Sequence, residues 1–302
     1  MAEILTKAGC FVAIIFLGWL LRHVGFFKEE DFGVIAKIVL KITLPASIVY
    51  SFSGKEIDGS MFLLCLLGFG FGLIYMAVGY LISLHQGKEQ KAFSVLNLSG
   101  YNISNFTMPF VQSFLGTAGM TATVLFDTGN TFICLGTAYS IAAMIVRGDK
   151  FSPLRILRDL LKSIPFITYL VMLILSLLHI RLPSPITEFA NIVGKSNAFL
   201  AMLMLGVGFN LPVGEKKQTG MIVKMLCVRY GVAALIAALC WFVLPLEPEV
   251  RKALVILAFS PISSAVPAFT GELKGDTGLS SAINSISIVI SVVCIVVILC
   301  VL

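Results

Sequence analysis

Two clusters of small polar residues and prolines lie about 158 residues apart, each midway along a long apolar stretch. The first, Gly100-Tyr-Asn-Ile-Ser-Asn-Phe-Thr-Met-Pro109, offers Asn102, Ser104, Asn105 and Thr107 ahead of Pro109. The second, Ala258-Phe-Ser-Pro-Ile-Ser-Ser-Ala-Val-Pro267, offers Ser260, Ser263 and Ser264 around Pro261. Proline removes a backbone donor and breaks a helix. A helix that restarts after such a break presents free N–H groups and the positive end of its dipole. Flanked by amides and hydroxyls, two such restarts suit a carboxylate. Asn102, Ser104, Asn105, Thr107, Pro109, Ser260, Pro261, Ser263 and Ser264 are therefore the candidate substrate-binding set. Their plainer role is to satisfy backbone freed from the helix, because lipid offers no partner. Both roles can hold together.

A second constellation centres on Asp127, the acid that lies deep in an apolar stretch, with Asn130 at i+3 on the same helical face. Asn284 and Ser287 repeat that spacing in the last apolar stretch. A carboxylate beside amide and hydroxyl oxygens can bind Na⁺ or carry H⁺, or it can be a structural acid supporting the breaks; all three roles stay open. Lys37, Lys195 and Lys224 lie near span ends, where long basic chains snorkel. Arg229 and Lys41 lie deeper. Snorkelling or pairing with an acid is their simpler role, and drawing an anion inward is the other.

Other chemistries find little support. An intramembrane enzyme needs a nucleophile and base, paired aspartates or a metal cluster, and Asp127 has no second deep acid. The seven cysteines fall inside apolar stretches without a CxxC pair and read as small buried hydrophobes. His23, His85 and His179 lie at span ends, so neither an enzyme nor a metal site is expected. No cofactor is expected beyond Na⁺ or H⁺ as a coupling ion. Gly68, Gly70 and Gly72 permit close helix packing and do not form a nucleotide loop. With no P-loop, energy is expected from ion or substrate gradients.

The elements that hold these residues are membrane spans. Of 302 residues, 58% are hydrophobic and 13% charged, about half the charge of a soluble domain. The net charge of +6 is scattered in short connections beside apolar spans, which argues against a nucleic-acid partner. A crossing helix needs about 20 mostly apolar residues. Ten candidates run Thr6–Arg22, Ile35–Phe52, Met61–Leu84, Ala92–Leu115, Gly119–Val146, Ile164–Ile180, Ile186–Leu211, Gly220–Leu244, Val250–Leu273 and Gly278–Leu302.

The connection after span five carries Arg147, Lys150, Arg155, Arg158 and Lys162, so it is placed in the cytoplasm. Alternation puts Arg22, Lys28, Lys88, Lys91, Lys216, Lys217 and Lys274 on the same side, against Lys7, Lys55, Arg181, Arg251 and Lys252 opposite. Both termini then face outward from a multi-pass protein of the plasma membrane.

Five spans per half, an odd number, insert the second half upside down. Sliding the halves by 158 or 159 residues aligns Pro109 with Pro267 and Gly119 with Gly278. The expected organisation is an all-α polytopic membrane protein built as a 5+5 inverted repeat: residues 1–147, a cytoplasmic connection 148–163, and residues 164–302. Interrupted segments in corresponding places of two halves point to a transporter's binding site at the repeat interface.

At these residues the chain resembles the auxin efflux carrier family, in its bacterial branch described as malate or malonate permeases. Span two carries Leu44-Pro45-Ala46-Ser47-Ile48, similar to the family's leucine-proline-alanine turn, and span five carries Leu125-Phe-Asp-Thr-Gly-Asn-Thr131, similar to its aspartate-x-glycine-asparagine stretch. Phe199 to Leu211 is similar to its glycine-containing helix, and Gly271-Glu-Leu-Lys-Gly-Asp276 to its glycine-aspartate loop. Ser104 and Thr107 depart from the pattern, standing where glycines are usual, and their side chains would intrude on the pocket.

The resemblance implies ten helices, with one, two, six and seven forming a scaffold that dimerises. Helices three to five and eight to ten would form a transport domain whose broken fourth and ninth helices cross at the centre. Movement of one domain past the other gives alternating access, the elevator-like architecture of the bile-acid sodium symporters. The function implied is secondary transport of a small organic anion, a mono- or dicarboxylate, auxin-like or malate-like. The alternative is sodium-coupled symport of larger amphipathic anions.

Overall fold

The computed structural model describes residues 2–28, 30–53, 62–148, 152–209 and 216–302, and no side-chain detail for 2–4, 155, 159 and 216–218. All regular structure among the described residues is helical. The chain opens with α1 (Ala2–His23) and α2 (Asp31–Ile38), the latter running through one π-helical turn into α3 (Leu44–Phe52). Pro45 follows directly on the π turn Val39–Thr43, and the Leu44-Pro45 turn continues one long helix. Next come α4 (Phe62–Leu81), α5 (Lys88–Leu98), α6 (Met108–Phe114) and α7 (Thr117–Phe132), the last joined by a π turn to α8 (Ala138–Arg147). Then follow α9 (Pro153–Leu160), α10 (Ile164–Leu177), α11 (Ser184–Lys195) and α12 (Asn197–Gly208). The chain closes with α13 (Lys216–Phe242), α14 (Pro248–Ala258), α15 (Val266–Glu272) and α16 (Thr277–Val301).

Seven helical stretches among the described residues are long and apolar enough to cross a membrane, and Ile164–Leu177 is a shorter apolar helix. Two more apolar segments are interrupted: α5 stops at Leu98 and helix resumes at Ile103, and α14 stops at Ala258 and helix resumes at Val266. Large apolar side chains such as Phe16, Leu66, Ile174 and Val293 face outward. In water this exterior would be untenable; in lipid it is the expected surface. The protein is a multi-pass membrane protein.

Apolar burial drives helices together only weakly in lipid, so close packing and hydrogen bonds carry the association. The tightest approach joins α4 to α7. A Cβ on Gly68 would strike the Phe126 carbonyl, and one on Gly129 would strike the Cys65 carbonyl and lie 2.9 Å from the Phe69 nitrogen. Gly72 packs on Ile133, whereas Gly70 has nothing within 4 Å of its would-be Cβ and serves no packing role. A second such contact joins α1 and α12, where Gly18 meets the Leu203 carbonyl and Gly206 the Ile15 carbonyl.

One expectation needs correction here. The cysteines are free, but Cys10 and Cys227 lie exposed on the outer faces of α1 and α13, where a small apolar side chain is as well placed as in the core. The connection between spans five and six contains the helix α9. Its Ile156 and Leu160, four residues apart, are buried with Phe166 and Leu135 packed against them. Residues 149–151 of that connection, with Lys150, lie outside the described residues, as do Lys55 and the Asn210–Leu211 end of span seven.

Candidate functional site

The two interruptions are hydrogen-bonded to each other. Asn102 N–H donates to the Pro261 carbonyl at 2.9 Å. Thr107 Oγ1 donates to Ser260 Oγ at 2.6 Å, and Asn105 Nδ2 reaches Ser264 Oγ at 3.5 Å. Gly100 makes the first break possible. Its φ of +71° is costly for other residues, and a Cβ there would sit 2.7 Å from Cys134 Sγ. Pro109 is buried in the first turn of α6, and Pro267 takes the same place in α15.

Most of the backbone freed by the breaks is satisfied from neighbouring helices. Asn130, on α7, accepts from Tyr101 N–H at 3.0 Å and donates to the Tyr101 carbonyl at 3.0 Å. Asn284, on α16, donates to the carbonyls of Ile262 and Ser263 at 3.1 and 3.0 Å. Ser287 Oγ accepts from Ile262 N–H at 3.2 Å. Ser263 Oγ accepts from Ala265 N–H at 3.5 Å.

Asp127 is 2% exposed and takes three donors. Ser104 Oγ and Tyr169 OH both donate to Oδ2, the latter at 2.8 Å, and Asn130 Nδ2 donates to Oδ1 at 2.9 Å. The carboxylate thus ties the first break to α7 and α10. Tyr169 was missing from the sequence reading, because nothing local marks one tyrosine of an apolar helix as the partner of an acid 42 residues earlier.

Arg229 departs from the simpler role expected of it, snorkelling or pairing with an acid. It is 1% exposed, so it does not snorkel, and its partners are carbonyls instead of an acid. One guanidinium nitrogen donates to the Leu98 carbonyl and the other to the Ser260 carbonyl at 3.2 Å. The guanidinium lies 4.2 Å from the Tyr75 ring centre and 4.7 Å from that of Tyr101. A buried cation over aromatic faces gains about 2 kcal/mol. Placed where α5 and α14 end, it meets the negative ends of two helix dipoles. Lys41, the other deep base, is exposed.

A cavity of about 240 Å³ opens beside the breaks. Its polar lining comes from Arg22, Asn102, Ser264, Ser281, Asn284 and Ser285. Asn102 is 4% exposed, yet its Nδ2 has no hydrogen-bond partner within the protein. Leaving such a donor unpaired costs about 1–3 kcal/mol. Arg22, whose guanidinium donates to the Val207 carbonyl at 3.0 Å, brings a positive charge to the wall. Of the nine residues singled out from sequence, Asn102 and Ser264 line this cavity. Ser104, Thr107, Ser260, Pro261 and Ser263 are engaged in joining the breaks to each other or to neighbouring helices. Asn105 also reaches across to Ser264, but its Oδ1 is buried without a partner. Arg22, Ser281 and Ser285 escaped the sequence reading. Ser281 and Ser285 do stand one and two turns along from Gly278, a spacing that marks one face of α16.

A family model described as membrane transport protein matches residues 10–299. An uncharacterized transporter of Methanocaldococcus jannaschii is 26% identical over 213 residues, 65% of this chain and 66% of the relative. An uncharacterized transporter of Methanothermobacter thermautotrophicus is 22% identical over 205 residues, 66% of this chain and 65% of the relative. The chain thus spans just under two thirds of the length of each.

Proposed function

Because the chain belongs to the membrane transport protein family, that of the auxin efflux carriers, we propose that it is a secondary carrier of a small organic anion, a mono- or dicarboxylate, in the plasma membrane. The observation that carries this reading is the unpaired Asn102 Nδ2, buried at the junction of the two breaks in a residue that lines a cavity with Arg22 on its wall. A carboxylate seated there would accept from the amide and be attracted by the positive charge on the wall. Family membership indicates a transporter and not an enzyme.

We further propose ten spans in a 5+5 inverted repeat, with the broken fourth and ninth crossing at the cavity. The hydrogen-bonded pairs Asn102–Pro261 and Asn105–Ser264 support this, since each joins residues 159 apart, the offset that aligns the halves. Residues near a two-fold axis meet their own counterparts. Asn130 and Asn284 support it too, each bracing one break from the helix that follows.

The residues around the cavity come from the ends of α1 and α12 and the start of α16, all on the side given the basic connections. On that topology the cavity opens to the cytoplasm. Alternating access then requires the breaks and their supporting helices to move past the scaffold of spans one, two, six and seven, which would dimerise. Tyr169 belongs to the scaffold in this scheme and Asp127 to the moving body. Their hydrogen bond must break or slide with the motion. With three donors already on its oxygens, Asp127 has little room for Na⁺, and H⁺ is the coupling ion proposed. Its arrival would turn an acceptor oxygen into a donor and loosen the hold of Ser104 and Tyr169.

The test is a thermal-shift screen of the purified protein against pyruvate, lactate, malate and malonate, at several pH values, with and without Na⁺. A ligand that binds the folded state raises the melting temperature by mass action. Stabilisation by carboxylates and not by their amides is the expected result, and stabilisation by cations or sugars alone would reject the reading.

A further inference from the structure

The connection between α8 and α10 carries a helix with two apolar faces. The last turn of α9 runs one residue past its end, with Leu161 N–H donating to the Leu157 carbonyl at 3.0 Å. On one face Ile156 and Leu160 are buried, with Phe166 of α10 and Leu135 packed against them. Ile156 seats on the π turn Ile133–Thr137 between α7 and α8, where a Cβ on Gly136 would come within 2.7 Å of its Cγ2. On another face Leu154, Leu157 and Leu161 stand at i, i+3 and i+7. These leucines are 76%, 48% and 50% exposed. At about 100° per residue, the leucine row is centred about 110° round from the buried pair, and Arg158 stands about 180° from that pair. Arg158 is exposed. The helix therefore has one side against protein, one of bare leucine and one that is charged.

α10 shows what the leucines face. It has 14 residues, about 21 Å at 1.5 Å per residue, whereas a hydrocarbon core is about 30 Å thick. Leu161, Lys162 and Ser163 alone separate it from α9, so α9 flanks a span too short to cross by itself. Ile164 and Ile167 of α10, each 38% exposed, carry the apolar surface on from Leu161. From Arg147 to Lys162 the sequence holds five basic residues and two acidic ones. We propose that α9 lies along the membrane–water interface on the side of this basic connection and binds anionic phospholipid. Leu154, Leu157 and Leu161 enter the acyl boundary, and Arg158 meets headgroup phosphates, the arrangement by which a basic amphipathic helix lies on a membrane. A soluble protein partner would have to displace lipid from a face continuous with a membrane span. Through Ile156 on Gly136 the helix grips the stretch that carries Asp127, nine residues earlier, and through Phe166 it grips α10, which carries Tyr169. One lipid-bound helix thus fastens the helices of both Asp127 and Tyr169 to one leaflet.

The test is tryptophan fluorescence of the full-length protein in phospholipid vesicles. Leu157→Trp serves as the single tryptophan, with Trp19 and Trp241 replaced by Phe, and Leu161→Trp in the same background is a second reporter. Brominated phospholipids should quench both reporters, more from bromines near the glycerol than from bromines at the chain ends. In mixed vesicles, brominated phosphatidylglycerol should occupy the site about threefold better than brominated phosphatidylcholine. Arg158→Gln should bring that ratio towards one, while Arg158→Lys, which keeps the charge, should preserve it; the pair separates headgroup binding from folding. Strong quenching by acrylamide with none by brominated lipid would overturn the proposal, and would mean a water-facing surface for a soluble partner. Protection from both quenchers would also overturn it, and would mean that a second copy of the chain covers the leucines. Quenching from the chain ends alone would place α9 inside the hydrocarbon and not at the interface. Equal occupancy by the two lipids in the charged protein, or a preference unchanged in Arg158→Gln, would overturn the anionic headgroup contact.

Discussion

Asn102 and Pro261 are joined by their main chains, the N–H of one donating to the carbonyl of the other at 2.9 Å across 159 residues of sequence. Each break in the chain is thereby a partner for the other. Asn102 also lines the cavity, and its side-chain Nδ2 has no partner within the protein. The same residue fixes the geometry and offers the unpaired donor.

Arg229 closes the far side of the junction, donating to the Leu98 and Ser260 carbonyls. Arg229→Met leaves both carbonyls buried without donors, at about 1–3 kcal/mol each. The purified variant should melt several degrees below wild type. Arg229→Lys should recover little, because an ammonium is a point charge without the planar fork that reaches both oxygens. A melting temperature equal to wild type in Arg229→Met would show that the junction does not depend on this clamp.

The α4–α7 contact gives a paired test of packing. Gly129→Ala places a methyl against the Cys65 carbonyl and the Phe69 nitrogen, which are backbone and cannot step aside. The helices must separate, moving Asp127 and Asn130 from the first break. Gly70→Ala meets nothing within 4 Å and gains about 1 kcal/mol of helix propensity. Yield and thermal stability should fall for the first substitution and hold or rise for the second. Equal behaviour of the two would refute the close approach.

Asp127→Asn separates coupling from structure. The amide is nearly isosteric with the carboxylate and can keep hydrogen bonds to Ser104, Asn130 and Tyr169 by reorienting them. If Asp127 carries the coupling proton, gradient-driven uptake should fall at least tenfold and lose its pH dependence, while exchange of labelled for unlabelled substrate survives. Tyr169→Phe, which keeps the acid, should leave the pH dependence in place. Net uptake and exchange falling together, with a lower melting temperature, would assign Asp127 to structure instead.

Orientation is tested with Lys162→Cys as the single thiol, the native cysteines being replaced, at the end of the basic connection, where the residue is exposed. An impermeant maleimide should label it in inverted membranes and not from outside intact cells. Labelling in intact cells would reverse the topology and, with it, the side to which the cavity opens.

Some of this was legible in sequence and some was not, for physical reasons. The interruptions are visible because Pro109, Pro261 and the asparagines are chain-local signals that conflict with an apolar helix. The i+3 pairing of Asp127 with Asn130 is likewise local, and the structure shows their hydrogen bond. The partners that complete the junction are distant: Tyr169 for Asp127, and the Leu98 carbonyl, 131 residues away, for Arg229. Arg22 looks from sequence like a basic residue closing a span. Only the packing of α1 beside α12 and α16 brings it to the cavity wall. Backbone carbonyls have no sequence signature at all, so an arginine that serves them reads in sequence like one that snorkels or pairs with an acid.

The most direct measurement of the central claim is counterflow in proteoliposomes loaded with unlabelled carboxylate, comparing wild type with Asn102→Ala. Counterflow needs no coupling ion and reports only whether the site binds substrate and alternates. Wild type should accumulate labelled carboxylate transiently. Asn102→Ala should lose at least tenfold of that accumulation while keeping its yield and melting temperature, since the lost amide donor has no partner in the folded protein. Asn105→Ala, whose reach to Ser264 is 3.5 Å, should lose less. Full counterflow by a well-folded Asn102→Ala would contradict the assignment of this junction as the substrate site.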